Sequence, residues 1–158
     1  MNKFKFLEVY KVSDTQQNSD LKHKFYTINT NSIEVAEQKL KFQIPSELKQ
    51  FYKEIGYGFF WQNDKRSFDR ILSPLQLAQI NLREDFYEFD PDLEIYDEED
   101  KLIFFEINEG LYLTILKEDV GGENGIYFFD TKIASSLEEF VIELNKNHNF
   151  IEELNGDE

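Results

Sequence analysis

Apolar residues recur at helical spacing between Ile44 and Gly58, and this stretch has the clearest pattern in the chain. Pro45 suits the first turn of a helix, where its missing N–H has no helical partner. Gly56 and Gly58 suit the end, because glycine tolerates a left-handed cap. The pattern therefore predicts a helix between these signals. Its apolar face would consist of Leu48, Phe51, Tyr52 and Ile55.

Three further helices are predicted from start signals and apolar spacing. Asn31 is the expected N-cap of one, with Glu34 completing a capping box and Leu40 at its end. Ser73, as the N-cap, and Pro74 begin a second, with Gln76 three residues after Ser73 as in a capping box. The last begins at Ser135 or Ser136. The expected apolar faces are Ile33, Ala36 and Leu40; then Leu75, Ala78 and Leu82; then Leu137, Phe140, Val141 and Leu144.

Strands are predicted mainly in the second half of the chain. The nearly continuous apolar run Leu102–Ile107 is typical of a central strand, and two more should follow it. Residues 1–30 form an N-terminal extension in which the loose alternation of Phe4–Val12 fits a strand, with a helix open as the alternative. The tail from Asn155 should fray. The other expected strands are Phe25–Ile28, Phe59–Trp61, Leu111–Leu116 and Ile126–Phe129. Helices, then antiparallel strands, then a helix predict a single α+β domain over residues 1–158.

Composition narrows the functional classes. With no cysteine, the chain forms no disulfide and offers no thiolate, which fits a cytoplasmic protein. Its start lacks the apolar stretch of a signal peptide, and no run approaches the ~18–20 apolar residues of a membrane span. The net charge is -15, although residues 1–60 hold nine lysines against seven acids. The electrostatic field of this negative charge disfavours binding to nucleic acid and to anionic lipid, and it attracts a basic partner.

Ten acidic residues and no basic residue lie between Glu84 and Asp100. Acids alone are typical of a solvated loop. Aromatic residues interleave with them, which favours a docked segment with rings inward and carboxylates outward, as in a binding surface. We therefore expect partner binding here, with Tyr57 and Trp61 as either core residues or an aromatic rim. The predicted acidic contacts are Glu84, Asp85, Glu88, Asp90, Asp92, Glu94, Asp97, Glu98, Glu99 and Asp100.

No motif predicts a catalytic residue, a metal or a cofactor. His23 and His148 are far apart in the sequence and are expected at the surface. Glu106, within an apolar strand, is expected to face solvent. The stretch Asp90–Lys101 begins like an EF-hand loop but has isoleucine at its sixth position and lysine at its twelfth. Gly121–Gly125 lacks the lysine of a phosphate loop and is expected to be a turn.

Several short motifs follow one another along the chain: Glu37 with Leu40, Ile44-Pro45, Leu48 with Phe51, Gly56 with Gly58, Gly125–Asp130 and Ile133–Phe140. Their order and spacing resemble the SUKH superfamily (the Smi–Knr group). The resemblance covers about Ser32 to Leu144. A middle segment, Glu88–Glu94 with Lys101–Leu113, is similar to members found beside LXG-type polymorphic toxins of Gram-positive bacteria. Gly56-Tyr57-Gly58 stands where the family usually has Asn-Gly-Gly.

The resemblance implies an antiparallel sheet packed with N-terminal helices and a C-terminal helix. It further implies a cytoplasmic, non-enzymatic immunity protein that binds and neutralises a cognate toxin by stoichiometric inhibition. The implied partner is a basic ribonuclease or deoxyribonuclease domain, whose phosphate-binding groove an acidic protein can occupy. The superfamily also contains a fungal regulator of cell-wall synthesis, so a regulatory scaffold that binds a host protein stays open as an alternative. An enzyme acting through its carboxylates is the third and weakest hypothesis.

Overall fold

Within the described residues, seven antiparallel strands follow one another in the sheet in the same order as along the chain. A computed structural model describes residues 3–12, 21–62, 69–84, 87–88, 93, 99–107 and 111–155. The strands are β1 (Lys24–Tyr26), β2 (Tyr57–Phe59), β3 (Arg70–Ile71), β4 (Lys101–Ile107), β5 (Leu111–Leu116), β6 (Ile126–Phe128) and β7 (Thr131–Ala134). The helices are α1 (Asn31–Leu40), α2 (Ser46–Glu54), α3 (Pro74–Leu82), α4 (Leu137–Lys146) and α5 (Phe150–Asn155). The predicted single α+β domain is confirmed.

The longest strands, β4 and β5, lie in the middle of the sheet and bury most of their residues on both faces. The main core contains Phe104, Phe105 and Leu113 of these strands. Helix α4 adds the whole of its predicted apolar face, including Phe140, whose ring packs edge-on at 5.2 Å from that of Phe105. Helix α2 likewise buries Leu48, Phe51 and Tyr52, as predicted. A smaller cluster lies around Ile103 and Tyr112.

Helix starts agree with the sequence at α3 and α4 but not at α1. Ser73 and Gln76 form the predicted capping box, and the Ser136 side chain caps α4. Helix α1 has no side-chain cap, and Thr30 occupies the N-cap position. The capping box expected at Asn31 is wrong, because Asn31 already lies inside the helix and its N–H is bound by Asn29 Oδ1 at 2.9 Å.

Gly56 and Gly58 do more than end helix α2. Ile55 is the C-cap, and Gly58 lies inside β2, which therefore begins earlier than the predicted Phe59–Trp61 strand. Both glycines have positive φ, 119° and 154°. A Cβ on Gly58 would lie 2.1 Å from the carbonyl oxygen of Lys24, so the close pairing of β1 and β2 requires glycine here.

Several other elements differ from expectation. Lys5–Tyr10 forms a 3₁₀ helix, and Pro45 is the N-cap of α2 where a first-turn position was predicted. Strand β7 and helix α5 were not predicted. Leu75 and Leu82, expected on the buried face of α3, are 49% and 38% exposed. Ala78 is buried as predicted, and the helix also buries Pro74, Leu77 and Ile80.

Asn81 joins α3 to the sheet beyond the end of the short strand β3. Its Oδ1 accepts the N–H of Ile103 at 3.0 Å, and its Nδ2 donates to the Ile103 carbonyl at 2.9 Å. The side chain thus pairs with β4 as the backbone of a strand residue would. It lies next to the last backbone hydrogen bond on this side of β4, which runs from the Leu72 N–H to the Phe104 carbonyl.

Replacing Asn81 with alanine should lower the free energy of unfolding by about 2 kcal/mol, since it leaves both backbone groups of Ile103 without their partner. Urea unfolding measures the loss. Gln38→Ala, at an exposed position of α1, is the matched control and should cost well under that amount. Equal losses in the two variants would contradict the strand-like role of Asn81.

Candidate functional site

The acidic segment is fixed to the sheet by two apolar side chains. Leu93 is fully buried and Tyr87 is 8% exposed. Both belong to the smaller cluster, together with Leu72, Ile80, Ile103 and Tyr112. Hydrophobic burial therefore holds the segment on the domain at these two described positions.

Arg83 adds a polar anchor at the start of this segment. It caps α3 in a left-handed conformation, with φ of 55°. Its Nη2 donates to the carbonyl oxygen of Leu93 at 2.9 Å, and its Nη1 donates to that of Ile80. The guanidinium thereby ties Leu93 to the end of α3, because Arg83 precedes Leu93 by ten residues.

The described carboxylates of the segment point outward. Glu88, Glu99 and Asp100 are exposed. Glu84 is half-buried, and its Oε1 lies 3.7 Å from Lys39 Nζ. Water reaches both side chains, so this contact contributes little to stability. The predicted contacts Asp85, Asp90, Asp92, Glu94, Asp97 and Glu98 lie outside the described residues.

Glu99 and Asp100 line an acidic cleft of about 550 Å³ at one end of the β4–β5 pair. The other side of the cleft is formed by residues 116–118, which include Glu118. The Lys117 N–H donates to the Asp100 carbonyl at 2.9 Å, so the backbone holds the two sides together. Three carboxylates against one lysine make this cleft suited to a guanidinium or ammonium group.

Tyr57 and Trp61 pack against the main core, whereas the anchors of the acidic segment belong to the smaller cluster. Trp61 Nε1 donates to the Leu144 carbonyl at 2.8 Å, which ties the chain just after β2 to the end of α4. Tyr57 lies 5.6 Å from the ring of Tyr26, which is 36% exposed. Their contacts are those of half-buried packing residues, and an aromatic rim for a partner stays a prediction.

His23 is fully buried, so its expected surface position is wrong. The backbone N–H of Trp61 donates to Nδ1 at 2.9 Å, and Nε2 lies 2.8 Å from Asn145 Oδ1. These partners require the neutral ring with its proton on Nε2. Burial lowers the pKa of His23 to about 4, the charges of Lys22 and His148 act in the same direction, and the Asn145 bond opposes them.

His148 is half-buried, and its ring stacks on that of Trp61 at 5.1 Å. The two histidines thus share a neighbour, although they are far apart in the sequence. No pattern in the sequence indicates this, because β1, β2 and α4 meet only in the folded chain.

Glu47 was not recognised in the sequence, and it is 1% exposed. Its Oε1 accepts the N–H groups of Asn124 at 2.6 Å and Leu137 at 2.9 Å. Its Oε2 accepts Lys3 Nζ at 2.9 Å and the N–H of Glu138 at 3.2 Å. The carboxylate lies at the start of α4, where a negative charge is favourable. It therefore joins α2, α4, the loop before β6 and the N-terminal segment.

Glu106 is mostly buried, with 16% of its side chain exposed, and Arg70 Nε lies 2.7 Å from its Oε1. The expectation that it faces solvent is wrong. Glu106 lies on β4 directly opposite Arg70 of β3, and the ion pair between them compensates its buried charge.

Within the described ranges, no three His, Asp or Glu side chains come together as a metal site. Among the same residues, no helix has the length and apolar character to cross a membrane.

Comparisons with known proteins agree with the motifs quoted above. The sequence model of the SMI1/KNR4 family (SUKH-1) matches residues 27–143. Immunity protein YxxD from Bacillus subtilis (strain 168) is 41% identical over 142 residues, which cover 89% of this chain and 95% of that protein. No solved structure matches the chain significantly.

Proposed function

The chain belongs to the SMI1/KNR4 (SUKH-1) family, and from that premise we propose that it is an immunity protein that binds and neutralises a cognate toxin. The observation that carries this proposal is the similarity to an immunity protein along nearly the whole of both chains. A family alone does not determine the binding partner, and the charge and exposure of the domain's surface add independent support.

The surface supports a basic partner. Tyr87 and Leu93 hold the acidic segment on the sheet, while Glu88, Glu99 and Asp100 are exposed to solvent. Fixed carboxylates lose less conformational freedom on binding than those of a mobile tail. They also speed the encounter with a positively charged protein. The acidic segment is therefore the proposed toxin-binding surface.

We propose further that the toxin is a nuclease and that inhibition is stoichiometric. A nuclease needs a basic groove to hold phosphates, and the net charge of -15 complements such a groove. The test is to express the toxin domain encoded beside this gene, alone and with this protein. Growth rescue, a co-purified complex and complete loss of nuclease activity at a one-to-one ratio are expected. Toxicity without rescue would contradict the proposal.

Charge reversal in the acidic cleft tests the assigned surface. The double variant E99K/D100K should weaken toxin binding by about tenfold or more, because it removes two exposed carboxylates and adds two repelling charges. Isothermal titration at two salt concentrations measures both the affinity and its salt dependence, which should also fall.

The control is E8K/D130K, which makes the same change in net charge at exposed positions outside the segment. It should retain most of the affinity. Equal weakening in both double variants would mean that net charge, and not the acidic cleft, carries the attraction. Unchanged binding in E99K/D100K would place the toxin elsewhere on the surface.

A further inference from the structure

A second cleft, of about 330 Å³, lies between the start of α2 and residues 117–119. Ile44 and Pro45 are buried and contribute apolar lining. Three lysines line it: Lys49 and Lys53, one turn apart on α2, and Lys117 from the chain after β5. Lysines from two separate elements thus border the same cavity.

Two of these ammonium groups lack an ionic partner among the residues that the structure describes. Within the described part of the chain, neither Lys53 nor Lys117 has a carboxylate oxygen within 4.0 Å. Lys117 Nζ instead lies over the ring of Phe42, 4.1 Å from its centroid. Lys49 is paired with Glu37 at 2.9 Å. The cleft therefore holds positive charge that the protein itself leaves uncompensated.

Among the described residues, Asp119 is the one carboxylate that lines this cleft, and its Oδ2 accepts the N–H of Gly122 at 3.2 Å. This bond stabilises the turn that contains Asp119, and the carboxylate forms no ion pair with any of the three lysines. In a chain of net charge -15, a cavity with three lysines and one acid is a local reversal of sign. We call it the basic cleft.

We propose that the basic cleft binds a side-chain carboxylate from an acidic segment of the toxin, which rests on the function proposed above. The acidic cleft lies next to it, because Lys117 lines both. A toxin surface with a basic group beside an acidic one would match the two clefts in sign and order. Such pairing of opposite charges in a fixed order restricts the choice of partner more than a single patch does.

The overall charge selects a carboxylate over nucleic acid. Glu99, Asp100 and Glu118 lie beside the basic cleft and repel a chain of phosphates. A single carboxylate meets two uncompensated ammonium groups and brings only one negative charge toward those neighbours. The cavity is also of a size for one or two side chains and not for a helical duplex.

The first test uses a short peptide and needs no toxin. The whole protein, labelled with ¹⁵N, is titrated with acetyl-tetraglutamate amide, with acetyl-tetraglutamine amide and with inorganic phosphate. The amide signals of Lys49, Lys53 and Lys117 should shift with the glutamate peptide, and binding should be tighter than for phosphate. Absent shifts, equal shifts with the glutamine peptide, or tighter binding of phosphate would each overturn the proposal.

The variant K53E/K117E should weaken binding of the glutamate peptide by about tenfold or more, because both uncompensated charges are reversed. The matched control is K5E/K132E, two exposed lysines outside the cleft with the same total change in charge. It should bind the peptide as the unmodified protein does, apart from a small general repulsion. Equal losses in the two variants would overturn the assignment to this cavity.

The toxin provides the second test and separates the two proposals. If the unmodified protein fails to bind its toxin, the proposed function fails, and peptide binding then reports a carboxylate site without that partner. If it binds the toxin but K53E/K117E binds as tightly as K5E/K132E, the immunity function stands and the role of the basic cleft is overturned. The expected result is at least about tenfold weaker toxin binding by K53E/K117E alone.

Discussion

Glu47→Gln should lower the free energy of unfolding by about 3–4 kcal/mol. The buried carboxylate accepts four donors, two at each oxygen. Glutamine offers one oxygen and one NH₂, so one pair of donors would face another donor whichever way the amide turns. One of those donors is the ammonium of Lys3, which would also lose its ionic partner. Urea unfolding followed by circular dichroism measures the change.

Glu34→Gln is the matched control, because Glu34 is also an acid in the first turn of a helix but is exposed. It should cost less than about 1 kcal/mol. The two variants make the same chemical change, so their difference isolates burial and hydrogen bonding. A loss at Glu47 no larger than that at Glu34 would mean that the buried hydrogen bonds contribute little net stability.

Stability should fall on acidification because of His23. Its pKa is lowered from 6.5 to about 4 on folding, so the unfolded chain binds a proton that the folded chain excludes between these values. The contribution is complete above pH 6.5 and is lost as the pH falls toward 4. At pH 4.5 the loss amounts to about 2.5 kcal/mol relative to pH 7.5. Protonation places a second donor at Nδ1, opposite the Trp61 N–H.

Unfolding curves of the unmodified protein and of His23→Gln, at several pH values between 7.5 and 4.5, test this expectation. Glutamine retains an acceptor and a donor but does not titrate. The many carboxylates titrate in both proteins, so the difference between the two curves reports His23. Parallel pH profiles would show that the folded protein accepts the proton at no cost.

Local signals in the sequence predicted the elements that are built locally. The capping box at Ser73 and the apolar face of α4 need only residues within a few turns, and both are confirmed. Continuous apolar runs also identified β4 and β5. Helix α3 shows the limit of spacing: apolar residues occupy nearly all its sides, so the sequence did not distinguish buried Leu77 from exposed Leu75.

The polar residues that join distant elements were not predictable in this way. Glu47 contacts groups 77 to 91 residues away, and His23 contacts Asn145 at a separation of 122. In the sequence both resemble ordinary surface residues. For the candidate site, the interleaved rings and acids indicated a docked segment, which agrees with buried Tyr87 and exposed Glu88. The basic cleft was not predictable from the sequence, because its lysines come from two separate elements that meet only in the folded chain.

The order of the strands determines what a growing chain can complete as it leaves the ribosome. Each strand pairs with its predecessor, so the sheet can extend strand by strand during synthesis. The carboxylate of Glu47 is made well before two of its donors, the N–H groups of Leu137 and Glu138, which follow β7 in the chain. A chain that stops at β7 has all seven described strands but lacks these two donors and α4. Termination of synthesis between β7 and α4 therefore yields a domain whose buried carboxylate lacks two of its hydrogen bonds and which is open to proteolysis.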